Sequence, residues 1–343
     1  MTELIIYLLS AFGISFLAFP LFIKLMESWK VFEGKDVRKI HTRDVPGLGG
    51  VPIVISAILT LLFFFPLEVL GQYKFLIASL FFMFLVGLRD DLLPLRPYVK
   101  VVNQIIPCVI VYYLFDIKIT SFYSLLEIEL PEYIALPLTI FTLIIITNSF
   151  NLIDGIDGLA GSLLITSLSI LSGWFFVNGN ETLSLFLIAF IGATAGFLYY
   201  NLPPARIFMG DTGALFSGFL VGCSIILFMN MNHGNTATPF TGVVGTAMSI
   251  IGVPLFDTFR IILYRLKSGH SPLSADRNHI HHMLLDIGWK HKHITATYVT
   301  LQLITIIIAF QLKEYNDWIL FLMMCLLYFG LLFLVIRKRR KLI

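Results

Sequence analysis

Long apolar stretches separated by short polar segments run along almost the whole chain. A helix that crosses a bilayer needs about 20 mostly apolar residues, and the pattern predicts eleven such spans. Their expected bounds are 3–26, 48–70, 73–89, 99–117, 135–150, 160–178, 182–201, 213–230, 241–266, 293–312 and 316–336. The fifth is short and the ninth is interrupted by Gly and Pro, so ten is the alternative count. The predicted fold class is therefore an all-α integral membrane protein.

The composition supports this prediction and excludes several other classes of protein. Hydrophobic residues make up 57% of the 343 residues, charged residues make up 13%, and the mean hydropathy is +0.88. Soluble domains contain about 45–50% apolar and about 25% charged residues. A soluble fold of this length could not bury so much apolar surface. We therefore exclude a soluble globular protein, a disordered chain and a nucleic-acid-binding protein.

The distribution of positive charge predicts the orientation of the spans. Successive segments between the spans lie on opposite sides of the membrane. Of the 24 Lys and Arg residues, all but Lys74, Lys118 and Lys313 fall on one side, in the segments or the helix ends that adjoin them. Because cytosolic loops are enriched in Lys and Arg, we expect the N-terminus outside and the C-terminus inside. The chain is then one membrane domain, 1–343, and its cytosolic segments lie near 27–47, 89–98, 151–159, 202–212, 267–292 and the basic tail 337–343.

One predicted outer segment has a pattern of its own. Residues 119–134 alternate Leu and Ile with Glu and contain no Lys or Arg after Lys118. An alternation of this kind predicts a short strand or hairpin that lies on the outer surface.

The unusual polar clusters all fall on the predicted cytosolic side. Asp90 and Asp91 end the third span, where two adjacent carboxylates oppose the helix dipole and repel each other unless they share a cation or a proton. We interpret this pair as a metal-binding or general-base site, and solvated charge at the membrane interface is the alternative.

A second cluster has a spacing of three, at Asn148, Asn151, Asp154 and Asp157. On a helix, steps of three stay near one face, and the intervening glycines leave room for a ligand or another helix. Ionisable residues at membrane depth indicate a functional site by default. The alternative for Asp157 is that it caps the sixth span.

A third cluster places Asp211 between two glycines, immediately before the eighth span. An open turn at a helix N-terminus suits a phosphate and its cation, and an N-cap is again the alternative. The fourth cluster is His279, His281 and His282. No Cys ligand stands near these histidines in the sequence, so contact with a phosphate beside Arg277 is favoured over zinc.

Together the four polar clusters predict the type of reaction. Oxygen ligands select a hard cation such as Mg²⁺, for which Mn²⁺ is the expected substitute, and cationic side chains suit a diphosphate. The bilayer suits a partner with a lipid tail. The residues therefore point to Mg²⁺-assisted phosphoryl transfer between a nucleotide compound and a membrane lipid. Two alternatives stay open: an ion-coupled transporter, whose site should lie near the midplane, and a non-catalytic scaffold.

Five motifs, in this order, carry a resemblance to a known family. They are Pro46-Gly47-Leu48-Gly49-Gly50, Asp90-Asp91 with Lys100 and Gln104, the run from Asn151 to Gly161, the run from Phe208 to Gly213, and His279 to His282. With these motifs the chain resembles the polyprenyl-phosphate N-acetylhexosamine-1-phosphate transferases. The resemblance implies transfer of a sugar-1-phosphate, most simply GlcNAc-1-phosphate, from a UDP-sugar to undecaprenyl phosphate with release of UMP. It also implies ten or eleven helices around a cytosolic cleft in the bacterial inner membrane, and a homodimer.

The resemblance also implies roles for the matching residues. The first carboxylate pair would orient or deprotonate the lipid phosphate, the loop carboxylates would shape the uridine and metal environment, and the histidines would contact the donor. Because His-Ile-His-His replaces three consecutive histidines, the branch that starts O-antigen, teichoic acid or capsular glycans is favoured over the peptidoglycan branch. The expected set is catalytic Asp90, Asp91, Asp154 and Asp157, metal-binding Asn151 and Asp211, and substrate-binding Lys39, His41, Lys100, Asn148, Asn201, Arg206, Arg277, His279, His281 and His282.

Overall fold

The computed structural model describes residues 1–30, 45–126, 128–233, 239–271 and 279–340. Within these ranges the chain forms fourteen α-helices and one 3₁₀ helix at Tyr123–Leu125, and no strand. The helices are α1 (Thr2–Trp29), α2 (Gly50–Phe64), α3 (Leu67–Gln72), α4 (Lys74–Leu92), α5 (Pro97–Leu114), α6 (Glu132–Ile153), α7 (Leu159–Val177), α8 (Glu181–Asn201), α9 (Gly210–His233), α10 (Val243–Ile250), α11 (Gly252–Lys267), α12 (Ile280–Asp286), α13 (His291–Gln311) and α14 (Asp317–Arg340).

The helices confirm the predicted class of integral membrane protein. Among the described residues, eight helices are long and apolar enough to cross a bilayer: α1, α5, α6, α7, α8, α9, α13 and α14. Helices α10 and α11 form one more candidate span, which bends by 88° at the break between them. The other predicted spans correspond to the shorter α2 and to α4, whose ends carry charged residues. The number of crossings and their orientation stay predictions.

Two local predictions differ from the structure. The expected span 48–70 is divided into α2 and α3, because the helix ends before Pro66. The expected hairpin in 119–134 is reduced to a single antiparallel bridge between Ser121 and Glu129. The alternation predicted the wrong structure because burial in this segment does not follow it. Tyr123 is buried, with its hydroxyl 2.5 Å from Asn230 Oδ1, whereas Leu126 and Ile128 are half exposed.

Helix α9 lies at the centre of the bundle and packs against α2, α4, α6 and α7. Of its most apolar window, 94% is buried inside the protein. Small residues let the backbones approach closely, as is common between membrane helices: a Cβ atom on Gly218 would lie 2.8 Å from the carbonyl oxygen of Thr147 in α6. The beginning of α9 is thereby fixed among the ends of its neighbours.

The glycine motif before α2 also packs against the beginning of α9. The amides of Gly49 and Gly50 donate to the carbonyl oxygens of Phe208 and Met209, both at 2.9 Å. A Cβ atom on Gly50 would lie 2.1 Å from the nitrogen of Gly213. The motif therefore allows α2 to contact the turn that leads into α9, where no larger side chain fits.

We expect Gly50→Ala to lower the free energy of unfolding by about 1–3 kcal/mol, the usual cost of overpacking a tight contact. The new methyl group would meet backbone atoms, which cannot rotate away. Thermal unfolding in detergent, followed by circular dichroism, measures the effect. Gly173→Ala in α7 is the matched control, because nothing lies within 4 Å of its Cβ position. An equal loss of stability in both variants would contradict this account.

Candidate functional site

The polar clusters predicted from the sequence meet at one end of the bundle, which we call the site end. It comprises the last turns of α4, α6 and α8, the first turns of α5, α7, α9 and α13, and the beginning of α12 with the part of α11 around Asp257. Contacts between residues far apart in the chain join these turns, such as the 2.9 Å bond from the amide of Gly158 to Asn201 Oδ1. Among the predicted residues, Lys39, His41 and Arg277 lie outside the described residues.

Both carboxylate oxygens of Asp91 accept hydrogen bonds from the N-terminus of α9. Its Oδ1 accepts from the amide of Asp211 at 2.8 Å, and its Oδ2 accepts from the amide and the hydroxyl of Thr212 at 2.8 and 2.6 Å. Gly210 has a φ of +71°, and a Cβ atom there would lie 2.8 Å from this carboxylate. A negative charge stabilises a helix N-terminus, so Asp91 caps α9 from α4 and leaves the side chain of Asp211 for other contacts.

Four side chains from four helices form what we call the oxygen cluster: Asp90, Lys100, Asn151 and Asp211. The ammonium nitrogen of Lys100 lies 2.8 Å from Asp90 Oδ2, 2.7 Å from Asp211 Oδ1 and 3.3 Å from Asn151 Oδ1. The amide of Asn151 also donates to Asp211 Oδ1. Asp90 is only 8% exposed, and one ammonium group balances two carboxylates. The cluster therefore has oxygen atoms and negative charge available for a further cation.

The spacing of three in residues 148–157 does not place all four polar residues on one helix face. Helix α6 ends at Ile153, so only Asn148 and Asn151 lie on it. Asn148 faces α5, where its amide donates to Gln104 Oε1 at 2.6 Å. Asp154 follows the end of α6 and is partly exposed. Asp154 is the C-cap of α6 and Gly158, with a φ of +76°, leads into α7, a break that periodicity alone did not predict.

Asp157 and Asn201 hold the loop 154–158 in place. Asp157 is 3% exposed, its Oδ1 lies 3.0 Å from His291 Nδ1, and its Oδ2 accepts from the amide of Ala205 at 3.1 Å. Buried Asn201 accepts from Gly158 and donates to the carbonyl oxygen of Ile207. The N-cap residue of α7 is Gly158, without a side-chain cap, so the capping alternative for Asp157 is wrong. The neighbouring Arg206 is exposed.

The histidine turn, His279 to His282, lies on a carboxylate that the sequence analysis missed. Asp257 of α11 is 4% exposed, and its Oδ2 lies 2.9 Å from His279 Nδ1 and 3.7 Å from His281 Nδ1. Its Oδ1 accepts from the amide of Ile280 at 3.1 Å. A lone carboxylate within an apolar span was the available signal. A helix more than 20 residues earlier in the chain thus supplies a buried carboxylate to the histidines.

The histidine turn faces the loop 154–158. His281 is fully buried, and its Nε2 lies 3.4 Å from the position that a Cβ atom on Gly155 would take. Burial lowers the pKa of the His281 imidazole, so the ring is neutral at pH 7. His282 lies beside the same glycine at 3.8 Å. The site end therefore has two parts, the oxygen cluster and the histidine turn, joined by the segment 151–158.

An apolar groove opens between α11 and α14 beside the histidine turn. Its volume is about 800 Å³, and its walls include Phe259, Leu263, Phe321, Met324 and Phe329. Arg260 and Lys267 also line it. Arg260 donates to Asp257 Oδ1 at 3.1 Å, so one side chain contacts both the groove and the support of the histidine turn.

The helical bundle gathers carboxylates, amides and a lysine at one end, and comparisons with known proteins specify the class of membrane protein to which it belongs. Residues 73–229 match the sequence family described as Glycosyl transferase family 4. A protein of Bacillus subtilis named probable undecaprenyl-phosphate N-acetylglucosaminyl 1-phosphate transferase is 33% identical over 300 residues, which cover 85% of this chain and 80% of that protein. The chain therefore belongs to glycosyl transferase family 4, the membrane phospho-sugar transferases, as its motifs predicted.

Two further relatives lie in different branches. An undecaprenyl-phosphate alpha-N-acetylglucosaminyl 1-phosphate transferase of Yersinia pestis is 28% identical over 341 residues, which cover 95% of this chain and 90% of the relative. A phospho-N-acetylmuramoyl-pentapeptide-transferase of Wolbachia pipientis is 32% identical over 240 residues, 64% of this chain and 72% of the relative. These names confirm the predicted enzyme class over the transporter and scaffold alternatives.

Proposed function

We propose that the protein transfers a HexNAc-1-phosphate, most simply GlcNAc-1-phosphate, from a UDP-sugar to undecaprenyl phosphate. The products are a polyprenyl-diphospho-sugar and UMP, and the reaction is the first membrane step of O-antigen, teichoic acid or capsule synthesis. The oxygen cluster is the observation that carries this proposal, because it gathers four helices around one charged position. The orientation predicted from the basic segments puts the site on the cytosolic side of the bacterial inner membrane.

The oxygen cluster fits the Mg²⁺ that we propose as cofactor. Oxygen atoms of Asp90, Asn151 and Asp211 all lie within 3.3 Å of one ammonium nitrogen, so they converge on a position that suits a cation. Carboxylate and amide oxygens are preferred by hard cations. Asp211 and Asn151 would hold the ion, with Mn²⁺ as its substitute. When bound, the metal screens the charge of the diphosphate and stabilises the leaving UMP.

The reaction that we propose joins two phosphate groups directly. An oxygen of the lipid phosphate attacks the phosphorus that bears the sugar, and the bond from that phosphorus to the bridging oxygen of UMP breaks. A phosphate dianion needs little help from a base, so positioning contributes more than proton removal. Asp90 orients the acceptor, together with Lys100, which can donate charge-assisted hydrogen bonds to phosphate oxygens. Asp91 acts on this arrangement through α9, whose N-terminus it caps.

We also propose that the groove between α11 and α14 binds the isoprenoid tail of the acceptor. Its apolar walls suit a hydrocarbon chain, since each buried CH₂ group contributes about 0.8 kcal/mol. The donor is then bound by the histidine turn and Asp154, with Arg277, Lys39 and His41 proposed from the sequence. Asn148, Asp157 and Asn201 support these residues through the loop and its neighbours.

The test is a substrate panel. We expect purified protein, given undecaprenyl phosphate and Mg²⁺, to form a lipid of the mass of polyprenyl-diphospho-HexNAc from UDP-GlcNAc or UDP-GalNAc, with an equal amount of UMP. Chelation by EDTA should abolish the product, and Mg²⁺ or Mn²⁺ should restore it. UDP-MurNAc-pentapeptide should give none. Release of UDP in place of UMP, or no lipid product from any UDP-HexNAc, would refute the proposed reaction.

A further inference from the structure

Asp257 is bound by donors from three directions. His279 Nδ1 lies 2.9 Å from Oδ2, while the amide of Ile280 and Nη2 of Arg260 both lie 3.1 Å from Oδ1. The carboxylate belongs to α11, and the first two donors belong to the histidine turn at the beginning of α12. Asp257 therefore attaches the histidine turn to the long helix beneath it.

The charges around Asp257 define which ring nitrogen of His279 donates to it. The guanidinium of Arg260 balances the carboxylate, and an ionised carboxylate can only accept hydrogen bonds. Nδ1 of His279 is therefore the donor of this bond, and Nε2 lies on the opposite edge of the ring. A carboxylate that fixes the tautomer and orientation of a histidine is a recurring arrangement around reactive groups.

The same three side chains have the spacing of a metal site, since their ligand atoms lie within 4.8 Å of one another. Two observations favour a hydrogen-bonded network instead. Arg260 already compensates the carboxylate, so a divalent cation would add uncompensated charge at a buried position, which is costly. Nδ1 of His279 is also already engaged in a direct hydrogen bond of 2.9 Å to Asp257 Oδ2.

His281 shows where the network is incomplete. Its side chain is completely buried, with a relative exposure of 0%. Neither ring nitrogen has a hydrogen-bond partner among the described residues. Buried polar atoms without partners are rare, and each points to a missing water, ion or ligand. Its Nε2 faces Gly155 and lies 3.4 Å from the position that a Cβ atom would take there. A polar group that enters between the histidine turn and the loop 154–158 would satisfy it.

We propose that Asp257 is a positioning residue for the donor: its hydrogen bond to Nδ1 orients the ring of His279, which together with the neighbouring His281 binds polar groups of the nucleotide sugar beside Gly155. This inference rests on the proposed function, because it assigns the donor rather than the lipid to the histidine turn. Asp257 itself touches neither substrate and acts through the ring of His279, to which it is hydrogen-bonded.

The test compares Asp257→Asn with His279→Asn and with the double variant. We expect Asp257→Asn to raise the KM for the UDP-sugar by about 10- to 100-fold, the usual effect of removing such a support, and to change the KM for undecaprenyl phosphate less than twofold. Because both residues act through one ring, the double variant should be within about twofold of His279→Asn alone. His281→Asn should raise the same KM.

Asp317→Asn is the matched control. Asp317 is also a buried carboxylate that accepts from a backbone amide, that of Gly245 at 2.6 Å, but it lies at the beginning of α14, away from the site end. We expect it to change stability without changing either KM. If Asp257→Asn does not fold, His279→Asn and His281→Asn carry the test, since neither leaves a charge unpaired.

Several outcomes would overturn the inference. They are equal changes in both KM values, multiplied effects in the double variant, or unchanged donor binding in the histidine variants. Stoichiometric zinc in the purified protein that is lost in Asp257→Asn would show a metal centre instead. Failure of the proposed function is a separate result, because then the unmodified protein forms no lipid product from any UDP-HexNAc.

Discussion

Asp211→Asn is expected to lower turnover by about 10²–10³-fold, the effect of removing one charged group that stabilises a reacting centre, while the protein still folds. The carboxylate of Asp211 contacts Lys100 and Asn151, whereas only its backbone amide contacts Asp91. The substitution therefore removes a negative oxygen from the cluster and leaves the cap of α9 intact. Formation of radiolabelled lipid from UDP-GlcNAc measures the loss.

The same variant should also bind divalent cations more weakly. Titration of Mn²⁺, followed by electron paramagnetic resonance on the purified protein, gives the affinity without turnover. Asp317→Asn serves again as the control, because it removes a buried carboxylate elsewhere and should leave both turnover and Mn²⁺ affinity unchanged. Near-normal turnover of Asp211→Asn would remove the basis of the metal assignment.

Lys100→Gln is expected to have the second largest effect: it should lower turnover and raise the affinity for Mn²⁺. Turnover should fall by about 10²-fold, since the variant lacks the cation that binds phosphate oxygens. The affinity for Mn²⁺ should rise at least about tenfold, because the ammonium that now lies 2.7–2.8 Å from two carboxylates would no longer compete with the metal. Tenfold corresponds to about 1.4 kcal/mol, well within the interaction of two such close charges.

The stability of Lys100→Gln should then depend on Mg²⁺. Removal of one partner leaves buried carboxylates uncompensated, which is destabilising, and a cation that binds the folded state restores stability by mass action. Thermal unfolding with and without Mg²⁺ measures this. Lys118→Gln is the control, because Lys118 pairs with the exposed Asp116 outside the site end. An identical response to Mg²⁺ in both variants would show that Lys100 does not share the cation position.

The sequence predicted the apolar helices well because the bilayer imposes one requirement on every span, namely length and apolarity. Every expected span overlaps a helix of the structure. The break between α10 and α11 could be read only as an interruption by Gly and Pro, whereas its angle of 88° depends on what packs against it. Likewise, periodicity predicted one helical face through Asp157, but α6 ends four residues earlier.

The structure brings most of the predicted residues to one end of the bundle, but the sequence did not show which contacts each of them makes. Asp90 and Asp91 are adjacent in the sequence and looked equivalent, yet one contacts Lys100 and the other caps α9. The contact between Lys100 and Asp211 joins positions 111 residues apart, which local pattern cannot show. Asp257 was missed because its partners, His279 and Ile280, lie more than 20 residues later in the chain.

The most direct test of the account follows the two phosphates of the donor separately. UDP-GlcNAc carries one label in the phosphate next to uridine and, in a second preparation, in the phosphate next to the sugar. If the oxygen cluster directs attack on the sugar-bearing phosphorus, the second label will move into the lipid and the first will remain in UMP. Recovery of both labels in UDP, with only the sugar on the lipid, would contradict the account.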